Sequence, residues 1–335
     1  MLLRLTGVLT LVWLFLAICL TSHSLRASPD HFSLNGSKYI SLKAMANRLG
    51  MEYAWKKRAR AARLSSQWTE IDFELHKRFF LLNKIKIYIG QPIVGHKGDL
   101  YLSQRDYNRA LTPILTPQVL GKPSKVYHIV IDPGHGGKDP GAQRHALVEK
   151  RLTLDLALRL KRLLSRQGYR ITLTRRNDHF ISLAERPSLA NRLKADLFLS
   201  LHFNASTNTS VHGIESFSLT PRYQPSTGYK SKPSKNARGY PGNKNDDWNT
   251  LLSFYLQQEM TRQLKAKDRG CKRARFAVLK SLECPGVLLE GGFLSNPSEG
   301  VNIRSSAYRE KLALAITKGI LRYQKTINRL RRASG

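Results

Sequence analysis

The sequence predicts an α/β protein in which a mostly parallel central sheet carries helices on both faces, preceded by a small N-terminal α+β module. Three observations predict it. Beyond residue 124, short apolar runs rich in β-branched residues alternate with stretches of helical period, the pattern of a sheet buried by crossover helices. Two of these runs, Ile129-Val130-Ile131 and Leu197-Phe198-Leu199-Ser200-Leu201, end in residues able to do chemistry at a sheet edge. Before residue 120 the apolar runs are shorter and helical period is scarce. Residues 112–124 between the two regions carry Pro113, Pro117 and Pro123, which reads as a linker with a boundary near 123.

The first residues belong to neither unit. Arg4 precedes an apolar run over residues 5–20, followed by Thr21-Ser22-His23-Ser24. Residues 1–27 therefore read as a secretory signal, with Ser24 or Ala27 at the cleavage point. A retained membrane anchor fits the same run, and Cys19 in Leu16-Ala17-Ile18-Cys19 would be lipidated if this were a lipobox, a pattern that Ile18 fits poorly. Each option implies export to the periplasm or cell envelope.

Export bears on the charge. The 335-residue chain sets 56 Lys and Arg against 23 Asp and Glu, a formal +33 that draws a protein to polyanions. Charge alone admits nucleic acid, anionic lipid or anionic cell-wall polymer; export argues against nucleic acid. With 41% hydrophobic and 24% charged residues the chain is globular. Cleavage of the leader would leave Cys271 and Cys284. Export permits a disulfide between them, and two buried free thiols fit as well. Neither has histidines at zinc-finger spacing, so any metal site lies elsewhere.

Within residues 32–120, segments 36–42, 79–82 and 85–89 read as strands, with a small helix near residues 43–49 ended by Gly50. A Tyr-Ile-Ser-Leu strand runs into a helix, a glycine and a Trp-containing strand, and recurs loosely at Asp99-Leu100-Tyr101-Leu102. This pattern resembles the copper-amine-oxidase N-terminal-like domain, which implies an envelope-associated accessory module and does not imply bound copper. The cluster Lys56, Lys57, Arg58, Arg60 and Arg63 reads as a solvated face or hairpin tip, open to contact with anionic wall polymer.

Residues 124–328 form the second unit. Residues 126–131 read as a strand; Leu152, Leu156, Leu160 and Leu163 line a helix ended by Gly168, and residues 169–174 form a strand again. Ser182 and Glu185 have capping-box spacing at the head of a helix reaching about residue 194. The strand ending at His202 follows, then a strand at 213–219 and a helix presenting Leu252, Leu256, Met260 and Leu264. Strands at 276–279 and 286–290 come next, then a last helix with Leu312, Ala315, Ile316, Gly319 and Ile320 on one face. Residues 221–247, rich in Gly, Pro, Ser and Lys, read as a long loop, either a tolerated insertion or an edge of the cleft that guides a polyanionic substrate.

Chemistry concentrates at three strand or helix ends. Ile131-Asp132-Pro133-Gly134-His135-Gly136-Gly137 presents His135 in a Gly/Pro turn; Glu149 opens a helix; His202 closes a strand. Two histidines and a carboxylate are a common ligand set for a hydrolytic zinc that leaves one position open. Glu290 closes Val287-Leu288-Leu289 and precedes Gly291-Gly292-Phe293, so it reaches the same edge as a proton acceptor and donor. No other acid lies between Asp139 and Asp155 to replace Glu149. His128, His145, His179 and His212 read as surface or satisfied core residues, His145 being the nearest rival to the ligand set, and Asp132 as a shaper of the Pro133-Gly134 turn.

Several blocks together resemble one family. They are Ile131-Asp132-Pro133-Gly134-His135-Gly136-Gly137-Lys138-Asp139-Pro140-Gly141-Ala142, Val148-Glu149-Lys150, Leu173-Thr174-Arg175, Ser182-Leu183-Ala184-Glu185-Arg186, Ala190-Asn191, Ser200-Leu201-His202-Phe203-Asn204 and Glu290-Gly291-Gly292-Phe293-Leu294-Ser295-Asn296-Pro297. In this order they resemble the zinc-dependent N-acetylmuramoyl-L-alanine amidases of the amidase-3 type. The resemblance implies zinc on His135, Glu149 and His202, Glu290 as the catalytic glutamate, and peptidoglycan as the partner. It implies hydrolysis of the amide between N-acetylmuramic acid and the L-alanine of the stem peptide. Some members insert a helix that plugs the zinc; the helix-poor 221–247 segment gives no reason to expect one. Two other readings stay open: a non-catalytic, basic wall-binding protein, and a related zinc peptidase or deacetylase.

Overall fold

The N-terminal strands are short because their apolar runs are short. The structure is a computed structural model describing residues 29–144, 146–228 and 239–333; the leader expected over residues 1–27 lies outside them. Strands β1 (His31–Leu34), β2 (Ser37–Ser41), β3 (Glu52–Lys57), β4 (Ala61–Ser65), β5 (Glu70–Glu74), β6 (Phe79–Leu82), β7 (Ile85–Tyr88), β8 (Val94–His96) and β9 (Asp99–Ser103) make up the module with helix α1 (Leu42–Leu49). Ser41 Oγ accepts from the Ala44 amide at the head of α1, and Gly50 ends it in the left-handed region. The strands β1, β2, β9 and β8 form one sheet, and β3 to β7 form a meander. The basic cluster sits at the β3–β4 hairpin, where Lys56 and Arg63 pair with Asp72, as expected of a solvated face.

After residue 124 come β10 (His128–Pro133), the ribbon β11 (Gln143–Arg144) and β12 (Leu147–Val148), α2 (Glu149–Arg166), β13 (Arg170–Leu173), α3 (Glu185–Arg192) and β14 (Leu197–Asn204). They are followed by β15 (Ile214–Leu219), α4 (Asp246–Leu264), β16 (Asp268–Ala274), β17 (Gly286–Phe293), α5 (Pro297–Arg304) and α6 (Ser306–Ala333). The strands β13, β10, β14 and β17 are parallel, β15 runs antiparallel to β17, and β16 is parallel to β15. Helices α2, α4 and α6 pack Leu156, Leu256 and Ile316 on one face against Ile131, Leu199 and Leu289. The other face buries Val130, Phe198 and Leu288 beneath α3 and the turn Ala277–Lys280. Each fully buried Leu or Ile contributes roughly 1.5–3 kcal/mol, so the core holds the strand ends rigidly. The expected capping box is present, with Ser182 and Glu185 exchanging backbone-to-side-chain hydrogen bonds.

Three expectations need correction. The strand expected at 276–279 is a helical turn, and the strand lies earlier, at β16. Its charged residues conceal it, because Arg269 and Lys272 both bond buried Glu215. The linker expected at 112–124 is helical over Thr112–Leu115 and Pro117–Leu120, with Pro113 and Pro117 buried. The two regions also share one sheet of 11 strands, because β7 pairs with β16 through Ile87 and Cys271. Phe254 and Cys271 enter the core of the N-terminal module, and Arg109 pairs with Asp247 at 2.7 Å.

The described part of the 221–247 segment does not edge the cleft. It leaves the antiparallel β15 at the end remote from Glu290 and docks on the module, where Gln224 donates to Asp106 at 3.0 Å. Cys271 and Cys284 are buried, unpaired and in separate cores, and burial pushes both thiols up to about 12.

Candidate metal centre at the sheet edge

Parallel strands deliver their C-terminal ends to one edge, where α/β sheets place their sites. Strand β10 ends at Pro133 and turns through Gly134 into His135, which holds φ +63. Gly134 is required there, since a Cβ would stand 2.3 Å from His202 Cε1. Glu149 is the first residue of α2, and His202 lies near the end of β14 directly beside Glu290 of β17. Paired residues on neighbouring strands project to the same face, so His202 and Glu290 share one.

The three expected ligands converge. Glu149 Oε1 lies 3.1 Å from His135 Nε2 and 3.0 Å from His202 Nδ1, and the imidazoles meet edge to face with centroids 4.9 Å apart. One ligand atom from each residue falls within 4.8 Å of the others. The set fits a divalent cation: two imidazole nitrogens and one carboxylate, held on rigid elements. Glu149 is fixed further by the amides of Phe203 at 3.1 Å and Ala142 at 2.8 Å. His135 Nδ1 lies 2.8 Å from Asp139 Oδ2, which orients the ring and turns Nε2 toward Glu149. Gly141 permits this closeness, because a Cβ there would meet Glu149 Oε2 at 2.6 Å.

The electrostatics follow from burial and partners. Burial alone would raise the Glu149 carboxyl, yet hydrogen bonds from His135 and His202 hold it well below the usual range. Burial would lower the His135 imidazole, and Glu149 and Asp139 outweigh it and raise it. Glu290 goes the other way: burial, with Glu149 and Glu215 nearby, pushes its carboxyl well above the ordinary value. Its Oε2 is shielded and has no hydrogen-bond partner, a buried acceptor whose cost is typically recovered by function.

Beneath the site lies a polar scaffold that sequence reasoning only partly foresaw. Asp132, fully buried, pairs with Arg186 at 2.8 Å and accepts from Thr174 and Ser200. Arg186 also donates to the carbonyls of Pro133 and His135, so Asp132 shapes the turn through an arginine. Arg175 donates to the carbonyls of Pro133, Gly134 and Lys150. Both arginines fall inside blocks that carried the family resemblance, yet nothing in their local sequence assigns a role, because buried arginines look like surface ones. Asp139 offered a signal, four residues after His135. Among the rival histidines, His128 bonds Thr172 at 2.9 Å, His179 bonds Asn177, and His212 bonds the Ser210 carbonyl at 2.9 Å; His145 lies outside the described residues.

At this edge an α/β sheet brings together a His-Glu-His group that could hold a metal ion and a glutamate whose Oε2 is unpaired. Residues 129–322 match the N-acetylmuramoyl-L-alanine amidase family, and the chain belongs to that family. It is similar to the N-acetylmuramoyl-L-alanine amidase LytC of Bacillus subtilis (36% identical over 195 residues), covering 58% of this chain and 35% of that relative. Similarity to AmiA of Escherichia coli is 34% over 217 residues, covering 58% of this chain and 75% of the relative. Among solved structures, an N-acetylmuramoyl-L-alanine amidase from Clostridium difficile 630 superposes with TM-score 0.51 and 32% identity, covering 61% of this chain and 99% of the other. The chain thus spans about a third of the first relative and three quarters of the second.

Proposed function

We propose that the protein is a peptidoglycan hydrolase that cleaves the amide between the lactyl group of N-acetylmuramic acid and the L-alanine of the stem peptide. The observation that carries this reading is the convergence of His135, Glu149 and His202 ligand atoms within 4.8 Å, with Glu290 beside His202 on the next strand. Those three residues would hold zinc. When bound, zinc supplies positive charge that acidifies water and polarises the scissile carbonyl. Glu290 carries the proton: its carboxylate takes one from the attacking water and returns it to the leaving amine of L-alanine as the C–N bond breaks. Burial favours this role, since a carboxylate of raised proton affinity is a stronger base. Asp139 fixes the His135 ring, and Arg175 and Arg186 hold the turn that presents it.

Residues 124–328 would form the catalytic unit, and residues 32–120 the accessory module resembling the copper-amine-oxidase N-terminal-like domain. Residues 1–27 would export the chain to the periplasm or envelope, either as a cleaved signal or as an anchor. Among the described residues no helix is long and apolar enough to cross a membrane. The large positive charge suits an anionic wall substrate.

The test is digestion of purified peptidoglycan with and without a zinc chelator, followed by mass analysis of the products. The reading expects new L-alanine amino termini that vanish on chelation and return with zinc, and a His202→Ala variant that neither binds zinc nor releases them. Cleavage at another bond, or termini that survive chelation, would refute it.

A further inference from the structure

The site does not stop at the catalytic strands. Glu290 of β17 is paired with Glu215 of β15, so both project to the face shared with His202. A bulge follows in β16, where two steps on β15, Ile214 to Ser216, are matched by three, Asp268 to Cys271. The extra residue turns Arg269 and Lys272 to that same face, and both bond Glu215. Two cations on one acid leave an excess positive charge beside Glu290.

Strand β7 of the N-terminal module continues the row. Ile87 pairs with Cys271 and points into the core, so Lys86 and Tyr88 face the other way, toward Lys272. Lys272 Nζ stands 5.8 Å from the Tyr88 ring and 5.6 Å from that of Phe217. Phe79, paired with Tyr88 on β6, brings its ring within 5.9 Å and carries Lys86 Nζ 4.8 Å above it. All of these side chains remain partly open to solvent.

We propose that the N-terminal module completes the substrate cleft, with Lys86, Tyr88 and Phe79 forming, beside Lys272, a floor for an acidic peptide that continues away from the scissile amide. The proposal rests on the amidase reading above. Charge selects the occupant. Amide-linked muramyl sugars are neutral, whereas stem-peptide carboxylates complement ammonium groups set between aromatic rings. Length agrees: β17 and β7 are three strand spacings apart, about 14 Å, which about four extended residues span. The catalytic strands reach only the first part of that path.

The experiment compares three probes: muramyl-L-alanine amide, a muramyl pentapeptide with free carboxylates, and the same pentapeptide with its carboxylates amidated. The intact chain is expected to cleave the acidic pentapeptide with kcat/KM about tenfold above the amidated one. Lys86→Glu and Tyr88→Ala, made separately, are expected to lose about tenfold on the acidic pentapeptide while staying within about twofold on muramyl-L-alanine amide. The short probe reports folding and chemistry, so an equal fall on both probes, or no fall on the acidic one, overturns the floor and leaves the amidase reading standing. If the intact chain cleaves none of the three, the amidase reading falls and this proposal with it.

Discussion

Glu290 shows how a single residue ties sequence to chemistry. Its strand-end position is legible in Val287-Leu288-Leu289-Glu290-Gly291-Gly292; its unpaired, shielded Oε2 is not. Glu290→Gln keeps the shape and removes the base, so turnover should fall by about 10²–10⁴ while zinc stoichiometry by elemental analysis is unchanged; wild-type turnover would contradict the proton role. Asp139 acts through His135. Asp139→Asn should weaken zinc affinity about 10–100-fold, read by competition with a fluorescent chelator, and an unchanged affinity would remove it from the account. The convergence of His135 and His202 at one sheet edge was readable because apolar runs and the glycines after them mark strand ends. Arg175 and Arg186 were not, since burial of a charged side chain is decided by partners far away in the chain.

Among elements, the turn between β10 and α2 depends on an ion pair sealed beneath it. Arg186→Met would leave Asp132, fully buried, without its cation, at a cost of about 3–5 kcal/mol. Urea unfolding of this variant and of the double variant Asp132→Asn with Arg186→Met tests the pairing, because the double variant should recover part of the loss. At the head of α4, burial raises the Asp246 carboxyl to about 6, above its unfolded value. Its protonated form therefore favours the fold at low pH, and that contribution disappears as pH rises from about 4 through 6. Relative to Asp246→Asn, wild-type stability should fall by roughly 2–3 kcal/mol between pH 4 and pH 7, read from urea midpoints; parallel profiles would refute the shift. Element identity was legible where period and apolarity agree, as in α2, α4 and β14. It failed at β16, whose core-facing Cys271 stands among charged residues that Glu215 neutralises from another strand.

At the scale of the whole molecule, one sheet of 11 strands runs through both of the units that were expected. The join is the pairing of β7 with β16, anchored at Ile87 and Cys271, and pairing between strands so far apart in sequence leaves no local mark. The prolines of residues 112–124 suggested a linker, yet two of them are buried against the helices they begin. Through this join the module covers the edge of the catalytic sheet and brings Tyr88 toward Lys272. The proposed chemistry requires one metal held by His135, Glu149 and His202 at the C-terminal edge of the parallel strands. Its most direct test is anomalous scattering at the zinc edge from crystals of the Glu290→Gln variant grown with zinc. The account predicts a single strong peak enclosed by His135, Glu149 and His202; no peak there, or a peak bound elsewhere on the molecule, would contradict it.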